Sequence, residues 1–196
     1  DFEMVKYIIE EAEWVNLFKK RDLGFVICTN LTLLTEDMVK YLKKHNCYIS
    51  TSLDGPKEIH DVNRPLQDKT LDHHEIFERN LGMIRSIWQD KECASALMTT
   101  SKYSLGNFKS IIDEYIRLGF NNIFLRSLNP YGFAKEHKDK IAYPIEDFIE
   151  NFKEGLDYII QLNKNGIFFK EGYSALLLKR MLTPFATGFV DLQSPA

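Results

Sequence analysis

Four short apolar runs in this sequence each pass directly into residues with hydroxyl, amide, carboxylate or guanidinium groups. The four polar segments are Thr29-Asn30, Ser52-Leu53-Asp54-Gly55-Pro56, Thr99-Thr100-Ser101 and Arg126-Ser127-Leu128-Asn129-Pro130-Tyr131-Gly132. If the runs are parallel strands, these segments follow their carboxyl ends, which is where α/β proteins bind ligands. Side chains of these types could form hydrogen bonds and ion pairs with a small zwitterionic or polyol ligand.

The connection from Leu53 to Leu71 strengthens this prediction of a ligand site. It contains the chemically versatile residues Asp54, His60, Asp61, Asn63 and Arg64. We expect it to lack clear secondary structure, and long connections of that kind in compact domains are often functional. An ordinary solvated surface loop is the alternative.

Taken singly, these polar residues also have structural interpretations. His60 could be a base or a metal ligand, but no second His or Cys lies at a ligand spacing from it, which favours a hydrogen bond that fixes the loop. His73-His74 is expected on a solvated helix face. Asp54 could form an Asx-turn, Asn30 could cap the next helix, and Arg126 could pair with a carboxylate inside a barrel.

The composition is that of a folded protein without a nucleic-acid or membrane signature. Of its 196 residues, 44% are hydrophobic and 13% aromatic, and the formal net charge is −3. No apolar run approaches the roughly 20 residues that span a bilayer. Cys28, Cys47 and Cys93 are widely spaced, which favours small apolar residues on strands in a reducing cytoplasm. The chain begins at Asp1 without a signal peptide, so we expect a segment of a longer protein.

Helix-period segments alternate with the strand-like runs. We predict strands at 23–28, 47–52, 93–98 and 122–125, and helices at 1–18, 35–45, 72–88, 108–118, 144–165 and 173–182. Asp1 and Thr35 are expected to be N-caps. Short continuous apolar strands between amphipathic helices favour parallel pairing, in a barrel or in an open doubly wound sheet.

Two of the polar segments resemble motifs of the radical S-adenosylmethionine (SAM) enzymes. Phe25 to Thr35 resembles their TNGTLLT stretch, with Leu31 in place of the usual glycine. Ile49 to Pro56, with His60-Asp61 and Arg64-Pro65, resembles the SLDGP…HD..R segment of the branch with a C-terminal accessory (SPASM) region, which includes sulfatase-maturating and peptide-modifying enzymes. A finer resemblance, to the radical SAM maturases of the His-Xaa-Ser system, uses Thr29 to Thr32, Asn129 to Ala134 and Val190 to Ala196.

The resemblance covers nearly the whole chain in order and implies an α/β fold, an incomplete (β/α)6 partial TIM-type barrel with parallel strands that lacks the first two strands. Residues 1–166 would form the radical SAM partial barrel, from helix 2 to the helix after strand 6. Residues 167–196 would be a helical linker toward a C-terminal accessory domain. The CxxxCxxC loop and the GGEP motif would precede Asp1, and the accessory-cluster cysteines would follow Ala196.

The resemblance also implies which residues bind SAM or shape its site. They are Thr29, Asn30, Ser52, Asp54, Arg64, Thr99 and Arg126. Ser52 would contact SAM, Asp54 would shape the same loop, and Arg64 resembles the family arginine that is available to the methionyl carboxylate, which suits a guanidinium fork. No catalytic residue and no metal ligand is assigned within the chain.

The implied function is that of a cytoplasmic radical SAM enzyme that modifies a peptide or protein. A 4Fe-4S cluster, reduced by a donor such as flavodoxin or ferredoxin, would cleave SAM to a 5′-deoxyadenosyl radical. The fragment alone would be inactive because it lacks the cluster ligands. One alternative is another (β/α)-barrel enzyme, such as an aldolase-type lyase or a metal-dependent hydrolase, which would need a Schiff-base lysine or clustered His/Asp ligands at the strand ends. The other alternative is a degenerate barrel without a cluster that binds peptides.

Overall fold

The computed structural model describes residues 1–68, 70–129 and 131–184, apart from the side chain of Phe133. Two compact units divide the chain. The first comprises Asp1–Thr51 and Glu75–Ser95, and the second comprises Ser52–His74 and the chain from Ala96 onward. Pro130 and Val190 to Ala196, which contribute to the finer resemblance, lie outside the described residues.

The described residues alternate between helices and short strands. The strands are β1 (Phe25–Cys28), β2 (Cys47–Ser52), β3 (Ala94–Leu97), β4 (Asn122–Ile123) and β5 (Lys170–Glu171). The helices are α1 (Phe2–Lys19), α2 (Glu36–Lys44), α3 (Lys57–Asn63), α4 (His73–Trp88), α5 (Phe108–Arg117), α6 (Phe133–Glu136), α7 (Lys138–Ile141), α8 (Ile145–Lys164) and α9 (Gly172–Leu182). None of the helices in these ranges is long and apolar enough to cross a membrane.

Both predicted N-caps are confirmed. The Asp1 carboxylate accepts a hydrogen bond from the Glu3 amide at 3.0 Å and begins α1. The Thr35 hydroxyl accepts one from the Met38 amide at 3.4 Å and begins α2, whose first turn is acidic and whose last turn is basic. These charges oppose the partial charges of the helix ends and so stabilise the helix.

The predicted parallel pairing is also confirmed. β1, β2 and β3 follow one another in one sheet, and β1 pairs with β2 in parallel from Phe25↔Cys47 to Cys28↔Ser50. β4 and β5 form a second parallel pair, with Ile123 opposite Glu171. The fold is therefore α/β with parallel strands, and the six-stranded barrel stays a prediction.

The first unit buries an apolar core that includes Leu31, Val39, Leu42 and Ile84, each 0% exposed. Leu31 has φ +67°, the left-handed region where residues with a Cβ are strained. This conformation explains why glycine suits the corresponding position of the TNGTLLT stretch. Here the strain is offset by burial of the whole Leu31 side chain and by the Asn80 amide, which donates to the Leu31 carbonyl at 2.8 Å.

The second unit is held together by α5, α8 and the β4–β5 pair. Glu171 is buried, and its carboxylate accepts from the amides of Leu125 at 3.0 Å and Tyr173 at 3.1 Å. It therefore caps α9 and also holds the chain beyond β4. A carboxylate at this position satisfies backbone donors that burial would otherwise leave without partners.

Two sequence-based expectations are corrected. The connection 53–71, predicted to lack clear secondary structure, contains α3. Residues 167–182 contain the predicted helix as α9 and, before it, the two-residue strand β5. Cys28 is exposed, whereas Cys47 and Cys93 are buried as expected of small apolar residues.

Candidate functional site

A buried ion pair between Asp54 and Arg64 is the centre of the candidate site in the second unit. Asp54 is 1% exposed. Arg64 donates from Nε to Asp54 Oδ2 at 2.8 Å and from Nη2 to Oδ1 at 3.1 Å, a bidentate pair. Oδ1 also accepts from the Thr99 amide at 2.9 Å. The carboxylate thus fixes the orientation of the guanidinium and ties it to the residues that follow β3.

The backbone around Asp54 is held from both sides. The Leu53 amide donates to the Leu97 carbonyl at 3.1 Å, and the Leu53 carbonyl accepts from the Tyr115 hydroxyl at 2.7 Å. Gly55 has φ +128°, and a Cβ there would lie 2.6 Å from Ile111 Cγ1. Glycine is therefore required next to Asp54, both for its backbone conformation and for the close approach of α5.

His60 fixes the same loop, as expected. Its Nδ1 accepts a hydrogen bond from the Asp54 amide at 3.2 Å. Burial, followed by the charges of His73, Arg64 and His74, lowers the pKa of His60 to about 3. The imidazole is therefore neutral at physiological pH, with an unprotonated Nδ1 that can keep accepting this bond.

The prediction that His73-His74 lies on a solvated helix face is wrong, since both residues are buried. His73 Nδ1 lies 2.8 Å from the Arg64 carbonyl oxygen, so Nδ1 is the protonated nitrogen that donates. His74 Nε2 lies 2.8 Å from Glu114 Oε1. Each histidine thus packs the start of α4 against a neighbouring segment of the second unit.

A cavity of about 260 Å³ lies beside the ion pair. Its polar lining comes from Asp54, Asn63, Arg64, Thr99 and Ser101. Ser101 donates to Asn63 Oδ1 at 2.7 Å, so the amide and the hydroxyl hold each other in place. The Arg64 side chain is 27% exposed. Because Asp54 occupies Nε and Nη2, Nη1 remains as a donor for a ligand.

The first-unit residues Thr29 and Asn30 make local hydrogen bonds. Thr29 Oγ1 accepts from the Leu31 amide at 3.1 Å, and Asn30 Oδ1 accepts from the Thr32 amide at 3.2 Å and from its hydroxyl at 2.8 Å. Asn30 does not cap the next helix, since Thr35 does so. These contacts shape the turn that contains Leu31.

Ser52 and Arg126 belong to the second unit but not to the ion-pair cluster. Ser52 is half-buried at the end of β2. Arg126 is exposed and lines a different cavity, of about 410 Å³, together with the aromatic side chains of Phe124, Phe148 and Tyr173. Within the described part of the chain Arg126 has no ion pair, so the predicted pairing with an interior carboxylate is not observed.

Sequence reasoning missed Tyr115 and Glu114. Tyr115 continues the apolar face of α5 formed by Phe108, Ile111 and Ile112. A tyrosine on such a face needs a partner for its hydroxyl, which is a signal that could have led to the Leu53 carbonyl. The pairing of Glu114 with His74 joins residues 40 positions apart, and no local sequence pattern predicts it.

No metal site is found among residues 1–68, 70–129 and 131–184, because no three His, Cys, Asp or Glu residues in these ranges are grouped so that they could hold a metal ion. Burial raises the pKa of Cys93 to about 11 and also raises that of Cys47. Both changes oppose the thiolate form that binds metals.

Fold and site together are those of an α/β protein with parallel strands and polar residues at the strand ends. The fold is shared with solved structures of anSMEcpe, an anaerobic sulfatase-maturating radical SAM enzyme. One structure with bound AdoMet and one with AdoMet and the Cp18Cys peptide both align with a TM-score of 0.77 and 19% identity, over 95% of this chain and 50% of that chain.

A relative in sequence is an uncharacterized protein of Methanothermobacter thermautotrophicus. It is 28% identical over 142 residues, which are 67% of this chain and 50% of that protein. No family model matches the sequence. The chain thus spans about half the length of the curated relative and of the solved structures that it matches.

Proposed function

We propose that this chain is part of a radical SAM enzyme that modifies a peptide or protein. The observation that carries the proposal is the Arg64 guanidinium, oriented by the buried Asp54 carboxylate at the wall of a polar cavity. Asp54 and Arg64 belong to the SLDGP…R segment through which the sequence resembles this class. The shared fold supports the same proposal.

AdoMet fits the donor set of this cavity. Its carboxylate would accept from Arg64 Nη1, and its ribose hydroxyls suit the Thr99 hydroxyl in the lining. We propose that the Ser52 hydroxyl, at the end of β2 and outside this lining, also contacts AdoMet. In radical SAM enzymes AdoMet supplies a 5′-deoxyadenosyl radical that abstracts hydrogen from the substrate. We propose Thr29, Asn30 and Arg126 as further residues of the AdoMet site, and Asp54 as the residue that positions Arg64.

A 4Fe-4S cluster does not fit the described residues, because they provide no grouped thiolates. We therefore propose that its ligands come from outside this chain. Two of the solved anSMEcpe structures contain a bound peptide, Cp18Cys in one and Kp18Cys in the other. A peptide or protein substrate, an electron donor such as flavodoxin or ferredoxin, and a cytoplasmic location complete the proposal.

The test is AdoMet binding by calorimetry to the full-length protein. The double variant Ser52→Ala/Arg64→Ala should weaken the Kd about 100-fold, because a charge-assisted hydrogen bond and a neutral one are lost. The matched control is Arg21→Ala/Ser86→Ala, at two exposed positions of the first unit. An unchanged Kd in the Ser52/Arg64 variant would reject this site.

Arg64→Ala also leaves the buried Asp54 carboxylate without its cation and could therefore unfold the protein. A second, milder variant keeps the test informative in that case. Arg64→Lys keeps the positive charge but cannot serve Asp54 and a ligand with one planar fork. We expect about tenfold weaker AdoMet binding in this variant. If the wild-type full-length protein binds no AdoMet, a peptide-binding barrel without the cofactor becomes the better interpretation.

A further inference from the structure

A cavity of about 540 Å³ in the second unit lies beside the chain that follows β4. We name it the lysine groove. Its lining includes the apolar and aromatic side chains of Leu128, Tyr131, Tyr143 and Ile145, together with the ammonium-bearing Lys135 and Lys138. Such a mainly apolar lining with a few charged groups is typical of a surface that binds a ligand in a defined orientation.

The charge of the groove is one-sided. Lys135 and Lys138 are exposed, and neither forms an ion pair with another residue in the described ranges. Among the described residues that line the groove there is no carboxylate, although Glu136 and Asp139 lie on the same stretch of chain. The groove therefore offers two cationic groups beside apolar surface, which complements a ligand with carboxylates and an apolar side chain.

The walls of the groove are fixed by hydrogen bonds. The Leu128 amide donates to the Tyr143 hydroxyl at 2.7 Å. At the other side, the Lys102 amide donates to the Ile141 carbonyl at 3.0 Å and so holds α7, which carries Lys138. Tyr131, which also lines the groove, is 77% exposed and leaves its ring available to a ligand. A preformed groove of this kind lowers the ordering cost of binding.

The lysine groove adjoins the Asp54–Arg64 cavity. Leu128 and Ala134 line both, so a ligand that lies in the groove extends toward the ion pair. An extended chain rises about 3.3 Å per residue, and a short peptide would therefore reach from the lysines to the neighbouring cavity. These two shared lining residues place the groove next to the proposed AdoMet site.

We propose that the lysine groove binds an acidic segment of the peptide substrate. The segment's carboxylates pair with Lys135 and Lys138, one of its apolar side chains packs on Leu128 and Tyr143, and the residue to be modified lies toward Arg64. This inference rests on the proposed function and adds the chemical class of its substrate. The mainly apolar lining and the net charge of −3 favour a peptide over a nucleic acid.

The test uses the full-length protein and fluorescence anisotropy. One fluorescein-labelled probe peptide has aspartates on both sides of a central phenylalanine, and its counterpart has lysines in their place. The acidic probe should bind about tenfold more tightly at low ionic strength, and added salt should reduce this difference. Equal binding of the two probes, or tighter binding of a short oligouridylate, would overturn the inference.

Charge reversal assigns the preference to the groove. Lys135→Glu/Lys138→Glu should weaken binding of the acidic probe at least about tenfold. The control Lys140→Glu/Lys153→Glu changes the net charge equally at exposed positions outside the lining and should retain wild-type affinity. An equal loss in both double variants would mean non-specific attraction and would also overturn the inference.

AdoMet calorimetry on the same samples separates the two proposals. AdoMet binding without preference for the acidic probe refutes the acidic-substrate inference alone. Absence of AdoMet binding refutes the proposed function, whatever the probes do. The milder pair Lys135→Gln/Lys138→Gln, expected to give about a threefold loss of the acidic probe, replaces the charge reversal if that variant does not fold.

Discussion

The turn at Thr29 to Thr32 in the first unit and the segment from Leu53 to Arg64 in the second both carry motif residues, but they use them differently. In the turn, the side-chain hydrogen bonds of Thr29 and Asn30 reach only two residues along the chain. In the segment, Asp54 bonds Arg64 and Thr99, which lie 10 and 45 residues away. The first set shapes one turn, whereas the second joins a strand end to a helix end.

The two regions should therefore respond differently to substitution. A side chain that bonds its own turn can be lost with a local change, because water replaces the missing partner. Asp54 is buried, so loss of one of its partners leaves a charge or a backbone amide unsatisfied and affects every element that meets there.

Gly55→Ala should give the largest effect on stability. The added Cβ would lie 2.6 Å from Ile111 Cγ1 at a backbone φ of +128°. Overpacking and backbone strain together should cost about 4 kcal/mol of the free energy of unfolding. Urea denaturation of the full-length protein measures this cost.

Gly106→Ala is the matched control, with φ +74° and no atom within 4 Å of the new Cβ, and should lower the free energy of unfolding by about 1 kcal/mol. Similar midpoints for the two variants would show that close packing next to Asp54 is unimportant.

Helices and strands could be predicted from the sequence more completely than the tertiary contacts between them. Strands β1, β2 and β3 were found because each is a compact apolar run next to turn residues. β5 was missed because Lys170–Glu171 is two charged residues long and carries no strand pattern. α3 was missed because it has seven residues and no side chain caps its start at Pro56. Such short elements are stabilised by their surroundings, which sequence patterns do not report.

The candidate site was predicted as a set of residues but not as an arrangement. Asp54, Arg64 and Thr99 were all expected to lie near the ligand, yet their mutual hydrogen bonds depend on α3, which returns the chain to the strand end. The buried environment of His74 depends on Glu114 in α5, so the polar character of the chain around His73-His74 suggested solvent instead. Sequence motifs thus indicate which residues belong to the site, whereas tertiary packing determines which residues they contact.

Leu31 and Leu42 offer a sharper test of the turn, because both are 0% exposed but only Leu31 has a left-handed backbone. Truncation of either leucine to alanine should lower the free energy of unfolding by about 3 kcal/mol, because burial of the side chain is lost. At Leu31, the glycine variant should be more stable than the alanine variant by about 1 kcal/mol, because glycine removes the strain. At Leu42, which lies in α2, the alanine variant should instead be more stable than the glycine variant by about 1 kcal/mol, because glycine is unfavourable inside a helix. The four denaturation midpoints decide this, and the same order at both sites would contradict the strained turn.

Acidification should lower the free energy of unfolding by less than truncation of Leu31 or Leu42 does, and it should act through His60 in the second unit. The pKa of His60 is lowered to about 3 in the folded protein, against roughly 6.5 for an unperturbed histidine. The unfolded chain therefore binds the proton first as pH falls. The stabilisation is complete above about pH 6.5 and is lost progressively toward pH 3, which amounts to about 2 kcal/mol at pH 5.

The local reporter of that loss is the Asp54 amide, since a protonated His60 Nδ1 can no longer accept its hydrogen bond. Its hydrogen-exchange protection factor should fall between pH 7 and pH 5 by about tenfold more than that of the Leu31 amide, which is bonded to the Thr29 hydroxyl. Titratable and charged groups facing His60 are His73, His74, Arg64 and Asp72, and all four are kept in the comparison variant His60→Asn. The asparagine oxygen preserves an acceptor without a titrating nitrogen, so the variant should lose the pH dependence. An equal pH dependence in the variant would assign the effect to one of the neighbouring groups instead of His60.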